Sequence, residues 1–261
     1  MERSRRDVLR AGAACLATAS VAGCIEERVT RRETRVTDSS SWTLSPATGE
    51  SLDEQAFENY VERMADRYDD SGVWGRTSEK PDDFEIAYAQ RYAITRETPG
   101  SPTKSEFSLI PEAVDPEAPV LIADACLAGY EVGDNRYRYW LWVAADPTDG
   151  RLVQDVSLTA LSTGIRLNRG SIAGVATPAV SGGEASVELD SPPSGPSGTL
   201  PARGGSFDTT SVRGAEGTYI TEWNGQLEEP QSTNGLCEVD RDGEYDLIWT
   251  MSLGYSFEET V

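Results

Sequence analysis

The sequence predicts an α+β, mainly β fold, with one N-terminal amphipathic helix packed on an antiparallel sheet or sandwich. Apolar residues recur at helical spacing over a single convincing stretch, whereas elsewhere they recur at every second position in short runs bounded by turn residues. Strands and helices do not alternate regularly along the chain, as a parallel doubly wound sheet would require, and no repeat of fixed period is visible.

The helix comes first. Ser51 and Glu54 stand at capping-box spacing, Ala56, Phe57, Tyr60, Val61, Met64 and Tyr68 share one stripe, and Gly72 follows as a C-terminal cap, which together predict a helix over residues 52–69. From Phe84 the period becomes two, with Ile86, Tyr88, Tyr92 and Ile94, and a strand is expected; three alanines leave helix open there. Val120–Val132 reads as another strand. Tyr137–Ala145, with Tyr139, Trp140, Leu141 and Trp142, is apolar on both faces and belongs in a sheet interior.

Asp146-Pro147-Thr148-Asp149-Gly150 supplies turn chemistry leading into Leu152–Leu158, a hairpin signal. Further strands are expected at Gly164–Asn168, Ala185–Leu189 and Thr218–Trp223. Tyr245–Phe257 carries the clearest alternation, through Leu247, Trp249, Met251, Leu253, Tyr255 and Phe257. Between these, the Pro/Gly/Ser run that begins at Ser191 predicts a flexible loop over 191–205 inside one globular domain, residues 51–261.

Composition sets the limits on chemistry. The 261 residues include no histidine, which excludes Ser-His-Asp and Cys-His nucleophile systems, His-ligated zinc and type 1 copper. Leu, Val, Ile and Phe make up only about a fifth of the chain, close to the boundary of disorder, but six Trp and ten Tyr fall inside the alternating runs and supply a core. Acidic residues outnumber basic ones 44 to 23 for a net charge of −21, so a nucleic-acid partner is not expected.

The N-terminus carries the most specific pattern. Ser4-Arg5-Arg6-Asp7-Val8-Leu9-Arg10 precedes a weakly apolar stretch from Ala11 to Gly23, too short for the ~20 residues that span a bilayer, and ends in Val21-Ala22-Gly23-Cys24. This resembles a twin-arginine export signal closed by a lipobox. The resemblance implies that Arg5 and Arg6 direct export of the folded chain, that residues 1–23 are removed, and that Cys24 carries a lipid at the extracellular face of the membrane.

Abundant acids with Lys80 and Lys104 as the only lysines resemble proteins of salt-adapted archaea, so the chain is similar overall to a haloarchaeal twin-arginine-exported lipoprotein. An acidic ion-binding protein is the rival explanation of that composition. Residues 24–50 read as a lipidated tether, in which Arg28, Arg31, Arg32 and Arg35 either rest on anionic headgroups or are balanced by Glu26, Glu27 and Glu33.

Candidate sites each have a plainer alternative. Cys126 and Cys237 remain once Cys15 leaves with the signal and Cys24 is lipidated; outside the cell they are expected to pair as a disulfide, the alternative being two buried thiols. Asp240, Asp242 and Asp246 flank Gly243 as carboxylates of a calcium loop would, although the EF-hand order is absent and an Asp-Gly hairpin turn is the commoner use. The doublets Asp69-Asp70, Asp82-Asp83, Glu228-Glu229 and Glu258-Glu259 are the raw material for a glycosidase pair, but in so acidic a chain they read as solvated surface.

Trp140, Trp142 and Trp223 line either a ligand groove or the core, more often the core. Lys80 and Lys104 lie in proline-flanked polar segments that suit Ser-Lys chemistry poorly, and no Gly-x-Ser-x-Gly elbow, phosphate loop or dinucleotide fingerprint is present. The expected function is that of a membrane-anchored extracellular lipoprotein, non-enzymatic, binding an unknown protein or small-molecule ligand or serving the cell envelope. A glycosidase-like hydrolase using paired carboxylates is the alternative, and no cofactor is implied beyond the calcium option.

Overall fold

A computed structural model describes residues 31–32, 38–44, 50–68, 74, 84–94, 121–147, 156–189, 197–242, 246–257 and 259–260. In chain order the elements are β1 (Arg31–Arg32), β2 (Asp38–Leu44), β3 (Glu50–Leu52), α1 (Glu54–Tyr68), β4 (Phe84–Ile94), β5 (Leu121–Gly133), β6 (Arg136–Asp146), β7 (Val156–Leu167) and β8 (Ser171–Val175). There follow β9 (Ala179–Ser181), β10 (Glu184–Val187), β11 (Gly198–Pro201), β12 (Gly205–Val212), β13 (Gly214–Ala215), β14 (Thr218–Leu227), β15 (Gln231–Asp240), β16 (Leu247–Phe257) and β17 (Glu259–Thr260). The fold is mainly β, and every strand pairing among the described residues is antiparallel.

A seven-stranded sheet runs β13-β8-β15-β6-β5-β4-β3, and a five-stranded sheet runs β12-β14-β7-β16-β2. Their facing sides share one core, in which Leu127, Leu141 and Val143 of the larger sheet meet Leu161, Ile165, Trp223, Met251 and Leu253 of the smaller. The opposite side of the seven-stranded sheet is also covered. Phe57, Tyr60, Met64 and Tyr68 of α1, together with Trp74, pack on Cys126, Ala128, Tyr130, Trp140 and Trp142. The helix starts where Asp53 Oδ1 accepts from the Ala56 amide at 2.8 Å, an N-cap that satisfies one of the free donors of the first turn.

This layering explains β6. It is the middle strand of seven and is covered on both sides, so its eight consecutive buried residues fit the continuous apolar run in the sequence. Tyr219 on β14 bridges the two sheets: its hydroxyl donates to the Ala176 carbonyl at 3.0 Å and accepts from the Leu236 amide at 3.1 Å. Gly235 makes room for it, since a Cβ there would lie 2.8 Å from the Tyr219 ring and hydroxyl.

Several expectations are corrected. The Asp146–Gly150 segment does not close a hairpin, because β6 pairs with β5 and β15 while β7 pairs with β14 and β16 in the other sheet. The Asp240–Asp246 segment is likewise a crossing between sheets, from β15 to β16. A tight hairpin does join β5 to β6 at Asp134-Asn135, with Asn135 at φ 58°, a left-handed conformation that Asn tolerates. Of the expected strand Gly164–Asn168, residues up to Leu167 form the end of the longer β7, not a separate strand.

Within the run expected as a loop over 191–205, Gly198–Pro201 forms β11 and pairs with β10 in a three-stranded sheet, while Gly205 opens β12. Part of the expected tether is built into the fold too. Asp38–Leu44 forms the edge strand β2 of the five-stranded sheet, paired with β16 from Trp249 to Tyr255. Residues 1–23, with Arg5 and Arg6, as well as Cys24, Lys80 and Lys104, lie outside the described residues.

Candidate functional site

Charged residues buried on the seven-stranded sheet are the natural place to look for chemistry, since an ion taken out of water needs a compensating partner. Asp124 on β5 is 2% exposed and faces α1. Its carboxylate accepts from Arg91 Nε at 2.7 Å and Nη2 at 3.3 Å and from the Tyr68 hydroxyl at 2.8 Å, with Arg67 Nε at 3.4 Å. Tyr60 donates alongside, to the Ala125 carbonyl at 3.4 Å. Burial, reinforced by the nearby Asp124 charge, pushes the Tyr60 and Tyr68 phenols well above their ordinary range.

A second group lies near the β5–β6 turn. Arg138 on β6 bonds Glu238 on β15, directly opposite in register, and both are buried. Two residues along the same pair of strands, Arg136 clasps Asp240 through Nε at 2.7 Å and Nη2 at 3.3 Å. Arg241 reaches both oxygens of Glu85 at 2.7 and 2.8 Å and lays its guanidinium over the Tyr137 ring, 3.6 Å from the centroid.

A third group occupies the start of β15, where Gln231, Ser232, Thr233 and Asn234 are all fully buried. The Gln231 amide donates to the carbonyls of Pro201 and Arg203 at 3.2 and 3.3 Å, and its oxygen accepts from the Ser232 amide at 2.9 Å. The Thr233 and Thr221 hydroxyls meet at 3.1 Å, tying the larger sheet to the smaller. Both amide atoms of Asn234 lack a hydrogen-bond partner among the described residues.

The common feature is that a guanidinium lies against each of the carboxylates Asp124, Glu238, Glu85 and Asp240. Such pairs fix strand register and dock the helix. A general acid or base, by contrast, needs a carboxyl turned toward substrate. The Cys237 thiol is pushed far up by burial, with the Glu238 charge adding to it, and so is held protonated, a poor nucleophile.

The expected disulfide is not formed. Cys126 faces the helix and Cys237 faces the sandwich core, with β6 between their strands. Cys126 and Asn234 both stand opposite Trp142, so Cys237 is displaced by two strand spacings and three residues, roughly 14 Å from standard strand geometry, against the ~4.4–6.8 Å Cα separation of a disulfide. The other reading of these residues, two buried thiols, is the one observed.

Of the calcium candidates, Asp240 is held by Arg136, and Asp246 accepts from Asn168 Nδ2 at 2.8 Å with Arg169 Nε at 3.4 Å. Asp242 is exposed, and among the described residues no group of three or more metal-ligating side chains gathers. Trp140, Trp142 and Trp223 are fully buried, so they are core. Of the acidic doublets, Glu228-Glu229 is exposed, with Glu229 on Arg203 at 2.8 Å; Asp69-Asp70, Asp82-Asp83 and the side chains of Glu258-Glu259 lie outside the described residues.

The paired charges were not anticipated from the sequence, although a signal is there. Arg136-Tyr137-Arg138 and Glu238-Val239-Asp240 are complementary when laid antiparallel, with two like charges at every second position in each. Comparison with protein-family models, with curated proteins and with solved structures finds no match for this chain.

Proposed function

We propose that this chain is a membrane-anchored extracellular lipoprotein of a halophilic archaeon, exported folded and held by a lipid on Cys24, with a non-enzymatic β domain that binds a partner or small ligand or serves the cell envelope. The observation that carries this reading is the sequence Arg5-Arg6 followed by a short apolar stretch and Val21-Ala22-Gly23-Cys24. The domain's chemistry supports the non-enzymatic part, because its buried carboxylates are engaged by arginine and its Cys237 thiol is held protonated. Among the described residues no helix is long and apolar enough to cross a membrane.

The test is mass spectrometry of the N-terminal peptide from membranes of cells expressing the full chain. A processed N-terminus at Cys24 carrying added lipid mass supports the reading, as does loss of export when Arg5 and Arg6 are both replaced by Lys. An unprocessed N-terminus in the soluble fraction overturns it. The domain's role is then tested by a thermal-shift screen of the mature protein at molar salt against calcium, sugars, peptides and nutrient solutes. A ligand-specific rise supports binding. Turnover of a glycoside panel by the same preparation would replace the non-enzymatic reading with the hydrolase one.

A further inference from the structure

The two sheets share a common polarity, so the domain has two distinct ends. At one end lie Val156, Leu227, Gln231 and Phe257: Phe257 pairs with Val156, Leu227 pairs with Leu158, and only residues 228–230 separate β14 from β15. At the other end lie the Asp134-Asn135 turn, Leu167 and Leu247, joined by backbone bonds from Asn168 N to Asp246 O and from Arg241 N to Asn135 O. Both the first and the last described strands sit at the former end. β1 pairs with β17, which begins two residues after Phe257, and β2 begins there as well, with Asp38 opposite Tyr255.

From this placement, and resting on the lipid-anchored reading above, we propose that the sandwich is oriented on the bilayer, with the Phe257–Leu227 end toward the lipid surface and the Asp134-Asn135 end presented outward. The reach of the chain decides it. Six residues separate Cys24 from Arg31, and the seven Cα–Cα steps between them, fully extended, span about 25 Å. The eleven residues of β16 run about 35 Å from one end of the sandwich to the other. Inverting the domain would lift the β1–β17 pair farther from the membrane than the anchor extends. The outward end is therefore the one free to meet a partner, and it carries the Arg241–Glu85 and Arg136–Asp240 pairs.

Single cysteines introduced as Glu228→Cys and Asp134→Cys, both at exposed turn positions, place a fluorophore at either end. Cys126 and Cys237 are buried, so in the mature, lipidated protein the introduced thiol is the reactive one. The labelled proteins, extracted from membranes, are reconstituted in phosphatidylcholine–phosphatidylglycerol vesicles holding a headgroup-linked energy acceptor, in molar KCl. The expected result is several-fold greater transfer from position 228 than from position 134. Equal transfer, or the reverse order, overturns the orientation while leaving the anchor intact. Failure of the unlabelled protein to float with the vesicles, matching a Cys24→Ser control, instead overturns the anchored reading and the orientation with it.

Discussion

Arg138 and Glu238 stand directly opposite each other on β6 and β15, neighbouring strands in the middle of the seven-stranded sheet, both nearly without solvent. Removing two ions from water costs several kcal/mol each, and their attraction offsets that cost only while both are present. Arg138→Met alone and Glu238→Leu alone are each expected to lower stability by about 3–5 kcal/mol. The double substitution is expected to recover most of the loss, because it removes the desolvated charges together. Chemical denaturation of the four proteins in molar salt checks this; additive losses would show that each residue acts through other neighbours.

Asp124 does for the helix what Glu238 does for the sheet. Its oxygens take Arg91 from β4 and Tyr68 from α1, so it binds three elements at once. Tyr68→Phe is expected to lower stability by about 1–2 kcal/mol, and Asp124→Ala by about 3 kcal/mol, less than for a fully buried pair because Arg67 and Arg91 retain contact with water. Proteolysis under native conditions discriminates: early cleavage within residues 54–68 marks local release of α1, whereas cleavage spread over the chain marks global unfolding.

Alkali is expected to unfold the domain steeply. Burial raises the folded-state pKa of Cys237 above its ordinary 9.0 and those of Tyr60, Tyr68 and Tyr219 above 10.0. A raised folded pKa contributes stability that is fully present below the unfolded value and is lost as pH rises through the folded one. Stability should therefore be insensitive to these groups up to about pH 9 and fall steeply beyond about pH 10. Melting temperature against pH measures it, and tyrosinate absorbance from these residues should appear only together with unfolding. Smooth titration of all ten tyrosines in a still-folded protein would contradict it.

How far the fold was legible depended on whether a strand buries apolar or polar side chains. β6 and β16 announce themselves because Tyr139–Val143 and Leu247–Tyr255 carry their apolar residues in the expected patterns. β15 does not, since Gln231-Ser232-Thr233-Asn234 carries no apolar alternation, and no strand is expected there. It is buried only because Pro201, Arg203 and Thr221, distant in sequence, supply its hydrogen bonds. The turn residues within Asp146–Gly150 and Asp240–Gly243 do stand between strands of different sheets, but local chemistry does not tell a hairpin from a passage between sheets. For the site, the cysteines were a matter of register: which face a residue takes follows from strand pairing, and a one-residue slip would exchange the faces of Cys126 and Cys237.

At Asn234 sequence and packing are at odds. Its amide is fully buried, opposite Trp142 and against Gly198 of β11, and among the described residues neither its nitrogen nor its oxygen finds a partner. An unsatisfied buried polar group costs about 1–3 kcal/mol, and leucine has nearly the same branched shape without the polar atoms. Asn234→Leu is therefore expected to stabilise the domain by about 1–2 kcal/mol. Gly198→Ala should do the opposite, because its Cβ would overlap the Asn234 side chain, and Asn234→Ala should relieve that clash. Urea unfolding of the single and double variants decides between two accounts. If Asn234→Leu raises the midpoint, the amide is a local conflict tolerated by a stable core. If it lowers the midpoint, the amide is engaged in solution, by a buried water or a ligand, and the interface between β11 and β15 becomes a place to look for what this domain binds.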